Sequence, residues 1–152
     1  LMLGYYKNQE ATEKMIDKDG WLHTGDMGTV NNDDTIFIKG RYKTMILGAS
    51  GQNIYPEEIE SKLNNMPFIM ESLVIEKDGR LVALVYPDYE AVDDYGIANE
   101  DLPVVMEEIR KNLNKEVAPY EQIAKIHLYP TEFEKTPKRS IKRYLYTNFS
   151  PI

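Results

Sequence analysis

The sequence contains no cysteine, which excludes disulfides and thiolate metal sites and agrees with a reducing compartment. Its two histidines, His23 and His127, stand far apart with no closely spaced second ligand, so no metal site is expected on them. Positive charge is also short: the net charge is −7, whereas a protein that mainly holds nucleic acid needs surplus Lys and Arg to neutralise phosphates. No apolar run approaches the ~20 residues of a membrane span, and nothing at the start resembles a signal peptide, so the expected location is the cytoplasm. Internal repeats and low-complexity segments are missing as well.

What is present is globular. With 152 residues, 42% hydrophobic and 28% charged, the chain can bury a core and suffices for one domain, or one domain plus a piece of another. Leu1 to Tyr6 already reads as structured sequence, and the chain is therefore expected to be the end of a longer protein.

Asn8 to Ile16 carries the cap and acidic first turn of a short helix. Asp19-Gly20 precedes Trp21-Leu22-His23, and Asn31 to Asp34 precedes Thr35-Ile36-Phe37-Ile38; both pair a turn-former with a β-rich run. Residues 1–40 thus read as a small β-rich piece. Beyond Gly40 the pattern changes. Met45-Ile46-Leu47 reads as a strand, and Pro56 to Asn65 as a helix with Pro at its first position, glutamates in its first turn and Ile59, Leu63 and Met66 on one face. Glu71 to Glu76 and Leu81 to Tyr86 form an antiparallel pair around Asp78-Gly79. Residues 88–101, acidic throughout, read as a solvated loop. Asp101 is expected to cap a helix burying Leu102, Met106, Ile109 and Leu113, with Glu107 and Lys111 paired on the other side. Ile123 to Tyr129 gives a third strand, and Ile141 to Phe149 a last short helix. The fold class is α+β: a β-rich N-terminal piece, then a compact domain with a small, mainly antiparallel sheet of about three strands and helices on one face.

Two motifs carry chemistry. Thr24-Gly25-Asp26 exposes a carboxylate in a turn, where it can accept two hydrogen bonds from a vicinal diol such as a ribose; taken alone, a simple turn cap explains Asp26 better. Arg41, after Gly40, can add a cationic donor to the same sugar or its phosphate.

In combination the residues say more. Trp21-x-x-Thr24-Gly25-Asp26, then Gly40-Arg41-x-Lys43, then Gly51-x-Asn53-Ile54-x-Pro56-x-Glu58-Ile59-Glu60 resembles the C-terminal part of the adenylate-forming enzymes, which include acyl-CoA synthetases, peptide-synthetase adenylation domains and firefly luciferase. Gly4-Tyr5-Tyr6-Lys7-Asn8 also looks like the segment preceding the Gly-Asp motif, and Asn53 to Glu60 is most similar to the long-chain acyl-CoA ligase branch. The resemblance covers essentially the whole chain. It implies that residues 1–40 end a large adenylation domain, 41–43 form a hinge and 44–152 form a mobile C-terminal domain. It also implies a two-step reaction, in which a carboxylate attacks the α-phosphate of ATP and a thiol, usually that of CoA, then displaces AMP. Carried over by position, Asp26 holds the ribose hydroxyls, Arg41 contacts ribose or phosphate, and Lys43 absorbs the hinge rotation. The loop Gly48, Ala49, Ser50, Gly51, Gln52 and Asn53 then lines the pantetheine tunnel, where glycines permit a close backbone approach.

The tail departs from that pattern. The family's tail lysine stabilises charge at the α-phosphate, but here Ser140 takes its place, and Lys138 or Lys142 is expected to substitute; a solvated basic tail is the plain competitor. Mg²⁺ should arrive with ATP, and neither it, ATP nor CoA is expected to bind this chain tightly alone, because the phosphate loop, adenine pocket and acyl tunnel belong to sequence upstream of Leu1. The implied partners are that missing domain, a carboxylic acid, of fatty acid type by the same similarity, and CoA or a carrier-protein thiol. The alternative is a non-catalytic docking module, or a lid acting with a carrier protein.

Overall fold

The chain, analysed as a computed structural model describing residues 2–149, divides into two compact units, Leu1–Thr44 and Met45–Ile152. Leu1, at the head of the apolar Leu1 to Tyr6 opening, and residues 150–152 of the expected C-terminal domain lie outside the described residues.

In the first unit, helix α1 (Gln9–Met15) is capped by Asn8, whose side chain accepts the Ala11 N–H at 3.0 Å. Asp17 then organises the next turn by accepting from the backbone of Trp21 (2.9 Å) and Asp19 (3.0 Å) and meeting the His23 ring at 2.9 Å. The Trp21 N–H, followed by His23, holds the Asp17 carboxyl below its usual range. Trp21 to His23 forms no strand; only Leu22 bridges back, to Ile16. Strands β1 (Asp26–Val30) and β2 (Ile36–Arg41) pair antiparallel with a bulge between Met27 and Gly28. A Cβ at Gly28 would sit 2.7 Å from the Phe37 carbonyl, so the close approach of the two strands requires glycine there.

In the second unit, the short strands β3 (Ile46–Leu47) and β4 (Asn53–Ile54) form a hairpin ahead of α2 (Pro56–Asn64). Strands β5 (Ile69–Lys77) and β6 (Arg80–Pro87) pair antiparallel across Asp78-Gly79, both with positive φ (50° and 73°), the geometry that Asp-Gly favours. Helices α3 (Tyr89–Asp94) and α4 (Leu102–Glu116) follow, then β7 (Ile123–Leu128). The sheet order is β5-β6-β7, and β7 runs parallel to β6. The third strand therefore makes the sheet mixed, because its connection passes through helices, as parallel pairing demands.

Four further expectations change. The acidic 88–101 stretch contains α3, capped by Asp88 and anchored by fully buried Val92. Asp101 makes no side-chain cap to α4, since it already lies in a 3-10 turn, Asn99–Asp101, that leads into the helix. Glu107 pairs with Arg110 at 2.6 Å, one residue short of Lys111, because Arg110 also reaches the Ile123 carbonyl at 3.0 Å. Ile141 to Phe149 is not an α-helix and contains only a 3-10 turn, Arg143–Leu145.

Hydrophobic burial explains the arrangement. Ile59 and Leu63 of α2, Val92 of α3 and Met106, Ile109 and Leu113 of α4 pack on Val74, Leu81, Ala83, Val85 and Ile123. The opposite sheet face, Leu73, Ile75, Val82 and Leu84, is covered by Phe133 and Tyr146 of the C-terminal tail rather than by a helix. Tyr129, Phe133 and Tyr146 interlock with ring centroids 5.0–5.4 Å apart, and this aromatic cluster displaces the expected last helix.

Candidate functional site

The hairpin register places Asp26 opposite Arg41, the first residue of β1 against the last of β2. Arg41 donates from its guanidinium to Asp26 Oδ1 at 2.5 Å, while 35% of the Asp26 side chain and 59% of the Arg41 side chain remain exposed. A carboxylate has further lone pairs and a guanidinium further donors, so the pair retains capacity for a diol and an anionic oxygen. Gly25, with φ +74°, turns the chain into β1, and its carbonyl accepts the Tyr42 N–H at 2.8 Å. The two residues singled out for one sugar are thus adjacent in space.

Lys43 lies exposed in the turn after β2, where the Thr44 N–H and hydroxyl both reach the Arg41 carbonyl, at 3.2 and 3.1 Å. The division between the two units falls just beyond it, after Thr44.

The Gly48 to Asn53 segment is the connection of the β3–β4 hairpin. Gly48 N–H bonds the Gln52 carbonyl at 2.8 Å and Gly51 N–H bonds the Gly48 carbonyl at 2.9 Å, with Gly51 at φ +83°. A Cβ on Gly48 would crowd Ile54 and the Gln52 carbonyl at 3.2 and 3.3 Å. Gly48, Ala49, Ser50 and Gln52 line a groove of about 620 Å³ that Arg110 and Tyr120 also line. Gln52 Oε1 is buried with no partner among the described residues. Asn53 instead pairs with Leu47 in the hairpin ladder.

The tail is a small hairpin. Thr136 N–H bonds the Ser140 carbonyl and Lys142 N–H the Glu134 carbonyl, each at 2.8 Å, and Lys135 bridges Ile141. Lys138 and Arg139 form its tip, with Arg139 in the left-handed region at φ 61°. The two candidate lysines differ. Lys142 is ion-paired with Glu134, which raises its pKa, whereas exposed Lys138 has no ion-pair or hydrogen-bond partner among the described residues. Two other cations of the run are ion-paired: Lys135 with Glu71, and Arg143 with Glu60.

Sequence reasoning missed Glu60. It is 8% exposed, and burial pushes its carboxyl up to about 7, against the opposing pull of Arg143 and of the Val74 N–H. The available signal was a glutamate on the same face of α2 as Ile59 and Leu63. His127, on β7, has its pKa lowered by burial and then by Lys125 and Lys77. Among the described residues no three His, Cys, Asp or Glu side chains group as a metal site requires, and no helix is long and apolar enough to cross a membrane.

No protein-family model matches the chain. It is 37% identical over 144 residues to 4-coumarate–CoA ligase 5 of Oryza sativa subsp. japonica, covering 94% of this chain and 25% of the relative. Among solved structures it resembles the adenylation domain of a carboxylate reductase from Mycobacterium chelonae (TM-score 0.83, 23% identity, 95% of this chain and 24% of that one). A second is ATP-bound MatB from Rhodopseudomonas palustris (TM-score 0.69, 24% identity, 96% and 28%). The chain spans about a quarter of the length of the rice relatives it matches. It is similar to the C-terminal portion of adenylate-forming enzymes; the relatives named are a coumarate ligase, an adenylation domain and MatB, and none is named as a long-chain fatty acid ligase.

Proposed function

We propose that residues 44–152 are the mobile C-terminal domain of an ATP-dependent, AMP-forming acyl-CoA ligase, that residues 1–40 end its large adenylation domain, and that 41–43 are the hinge. The observation that carries this reading is the pairing of Asp26 with Arg41 at the foot of the β1–β2 hairpin, immediately before the turn that holds Lys43. The relative's name, a CoA ligase, and the ATP-bound neighbour support the reaction class.

In the first half-reaction Asp26 accepts from the ribose hydroxyls of ATP and Arg41 donates to ribose or phosphate oxygens. The acid's carboxylate attacks the α-phosphorus and pyrophosphate leaves. Of the two candidate lysines, Lys138 at the hairpin tip has no ion-pair partner among the described residues and is free to meet the charge that builds there; using Lys142 would first require breaking its pair with Glu134. Mg²⁺ would come bound to the nucleotide and neutralise its phosphates. In the second half-reaction the backbone turns at Lys43, the Gly48 to Asn53 loop guides the pantetheine arm, and the thiolate displaces AMP from the acyl carbon.

The acyl group is a carboxylic acid. A fatty acid follows from the likeness of Asn53 to Glu60, and a hydroxycinnamate-type acid from the relative's name. Ser140 favours a second reading, a docking module or a lid that serves a carrier-protein thiol. An ATP- and CoA-dependent screen of fatty and aromatic acids on the full-length protein, presumed by this reading to act in the cytoplasm, separates these: acyl-CoA formation supports the ligase, and its absence with every acid supports the module.

A further inference from the structure

Strand β5 is an edge of the sheet, so backbone groups facing away from β6 need partners from elsewhere. At Val74 they find two. Its N–H donates to Glu60 Oε1 at 2.7 Å, and its carbonyl accepts from the Arg143 guanidinium at 3.3 Å. Arg143 also donates to Glu60 Oε2, and its Nε lies 3.9 Å from Glu57. A planar guanidinium hydrogen-bonded to a carboxylate and a carbonyl, with a second carboxylate within ion-pair range, has a preferred orientation.

This cluster joins three elements. Glu57 and Glu60 belong to α2, which starts at Pro56 directly behind the Gly48 to Asn53 loop. Val74 belongs to the sheet. Arg143 follows the tail hairpin whose tip carries Lys138 and Arg139, and that hairpin is closed at its base by the Lys142 to Glu134 bond at 2.8 Å. Tyr146 takes the Glu134 N–H at 2.7 Å, and Lys135 pairs with Glu71. The lysine anchors are single ammonium contacts that can swivel, whereas Arg143 fixes direction.

We propose that Glu60 and Arg143 are a positioning pair that aims the tail hairpin, with Lys138 and Arg139 at its tip, at the reacting phosphate during acyl-adenylate formation. The pair touches no substrate; it acts through the hairpin it holds. This rests on the ligase reading above, and it makes a demand which that reading does not. Because the loop and the tail serve different half-reactions, loosening the tail should slow only one of them. A pair that merely stabilised the domain would affect both alike.

The test uses the full-length protein with Arg143→Gln, Arg143→Lys and Glu60→Gln. Two rates are compared: carboxylate-dependent ATP–pyrophosphate exchange, and CoA thiolysis of a supplied acyl-adenylate. Exchange should fall about 10- to 100-fold in Arg143→Gln and recover in part in Arg143→Lys, while thiolysis stays within about two-fold. If Arg143→Gln does not fold, Glu60→Gln carries the same comparison, since its amide oxygen can still accept the Val74 N–H. Equal loss of both rates, or exchange at the parent rate in folded variants, overturns the proposal and leaves the ligase reading standing. A parent protein with neither half-reaction overturns both.

Discussion

Arg41 and Asp26 face each other across the first and last residues of a two-stranded hairpin, their side chains 2.5 Å apart and open to solvent. Exposed pairs of this kind contribute about 0–1 kcal/mol to stability. Their placement therefore matters through what they can bind.

Each charge-assisted contact to a nucleotide is worth about 1.5–3 kcal/mol. Asp26→Ala or Arg41→Ala in the full-length protein should accordingly raise the KM for ATP roughly 10- to 100-fold. The melting temperature should hardly move, and steady-state pyrophosphate exchange with a parallel thermal melt reads both quantities.

Proline at Lys43, the proposed hinge, would fix φ near −65° and remove the backbone freedom that a rotation needs. Lys43→Pro should retain one half-reaction and lose most of the other. Pyrophosphate exchange and adenylate thiolysis, assayed separately, show whether the losses split in this way.

Glu60 makes stability depend on pH. Its folded pKa, about 7, lies above the ordinary 4.5, so between those values the native state binds more protons than the unfolded chain. Its contribution is thus fully present below about pH 4.5 and is lost as pH rises through 7, by on the order of 3 kcal/mol. The groups facing it are Arg143 and the Val74 N–H, which favour ionisation, and Glu57, which opposes it. Urea unfolding of the parent and of Glu60→Gln at pH 5 and pH 8 should show the difference between the two proteins changing across that window; a constant difference would contradict the assignment.

Leu113 is fully buried on α4, among Leu63, Val85 and Ile123. Leu113→Ala should destabilise the domain by about 2–5 kcal/mol, seen as a lower urea midpoint at unchanged slope.

Much of this architecture was legible from local chemistry. Asp78-Gly79 announced the β5–β6 hairpin, Pro56 and the glutamates behind it announced α2, and the spacing of Leu102, Met106, Ile109 and Leu113 announced the buried face of α4. The misses have a common cause in long-range contact. The parallel direction of β7 depends on a crossover through helices, and periodicity along the strand itself does not encode it. Val92, the fully buried residue of α3 in an acidic stretch, docks the helix once a core exists to receive it. In the tail, charge content suggested solvated cations, yet Lys135, Lys142 and Arg143 find carboxylates, two of them distant in sequence. For the site, the motifs named Asp26 and Arg41, and the strand register shows them adjacent. Glu60 and Arg143 were invisible as a pair because 83 residues separate them.

On the proposed reading, this chain completes an adenylating enzyme without being one. The most direct test is carboxylate-dependent ATP–pyrophosphate exchange by the full-length protein, by the isolated 1–152 chain, and by the full-length protein carrying Lys138→Ala. Two contacts at about 1.5–3 kcal/mol each leave the isolated chain with millimolar nucleotide binding at best. The account predicts exchange by the full-length protein, a large loss in Lys138→Ala, and only background from the isolated chain. Exchange above background by the isolated chain, or none by the full-length protein with any acid tested, would contradict it.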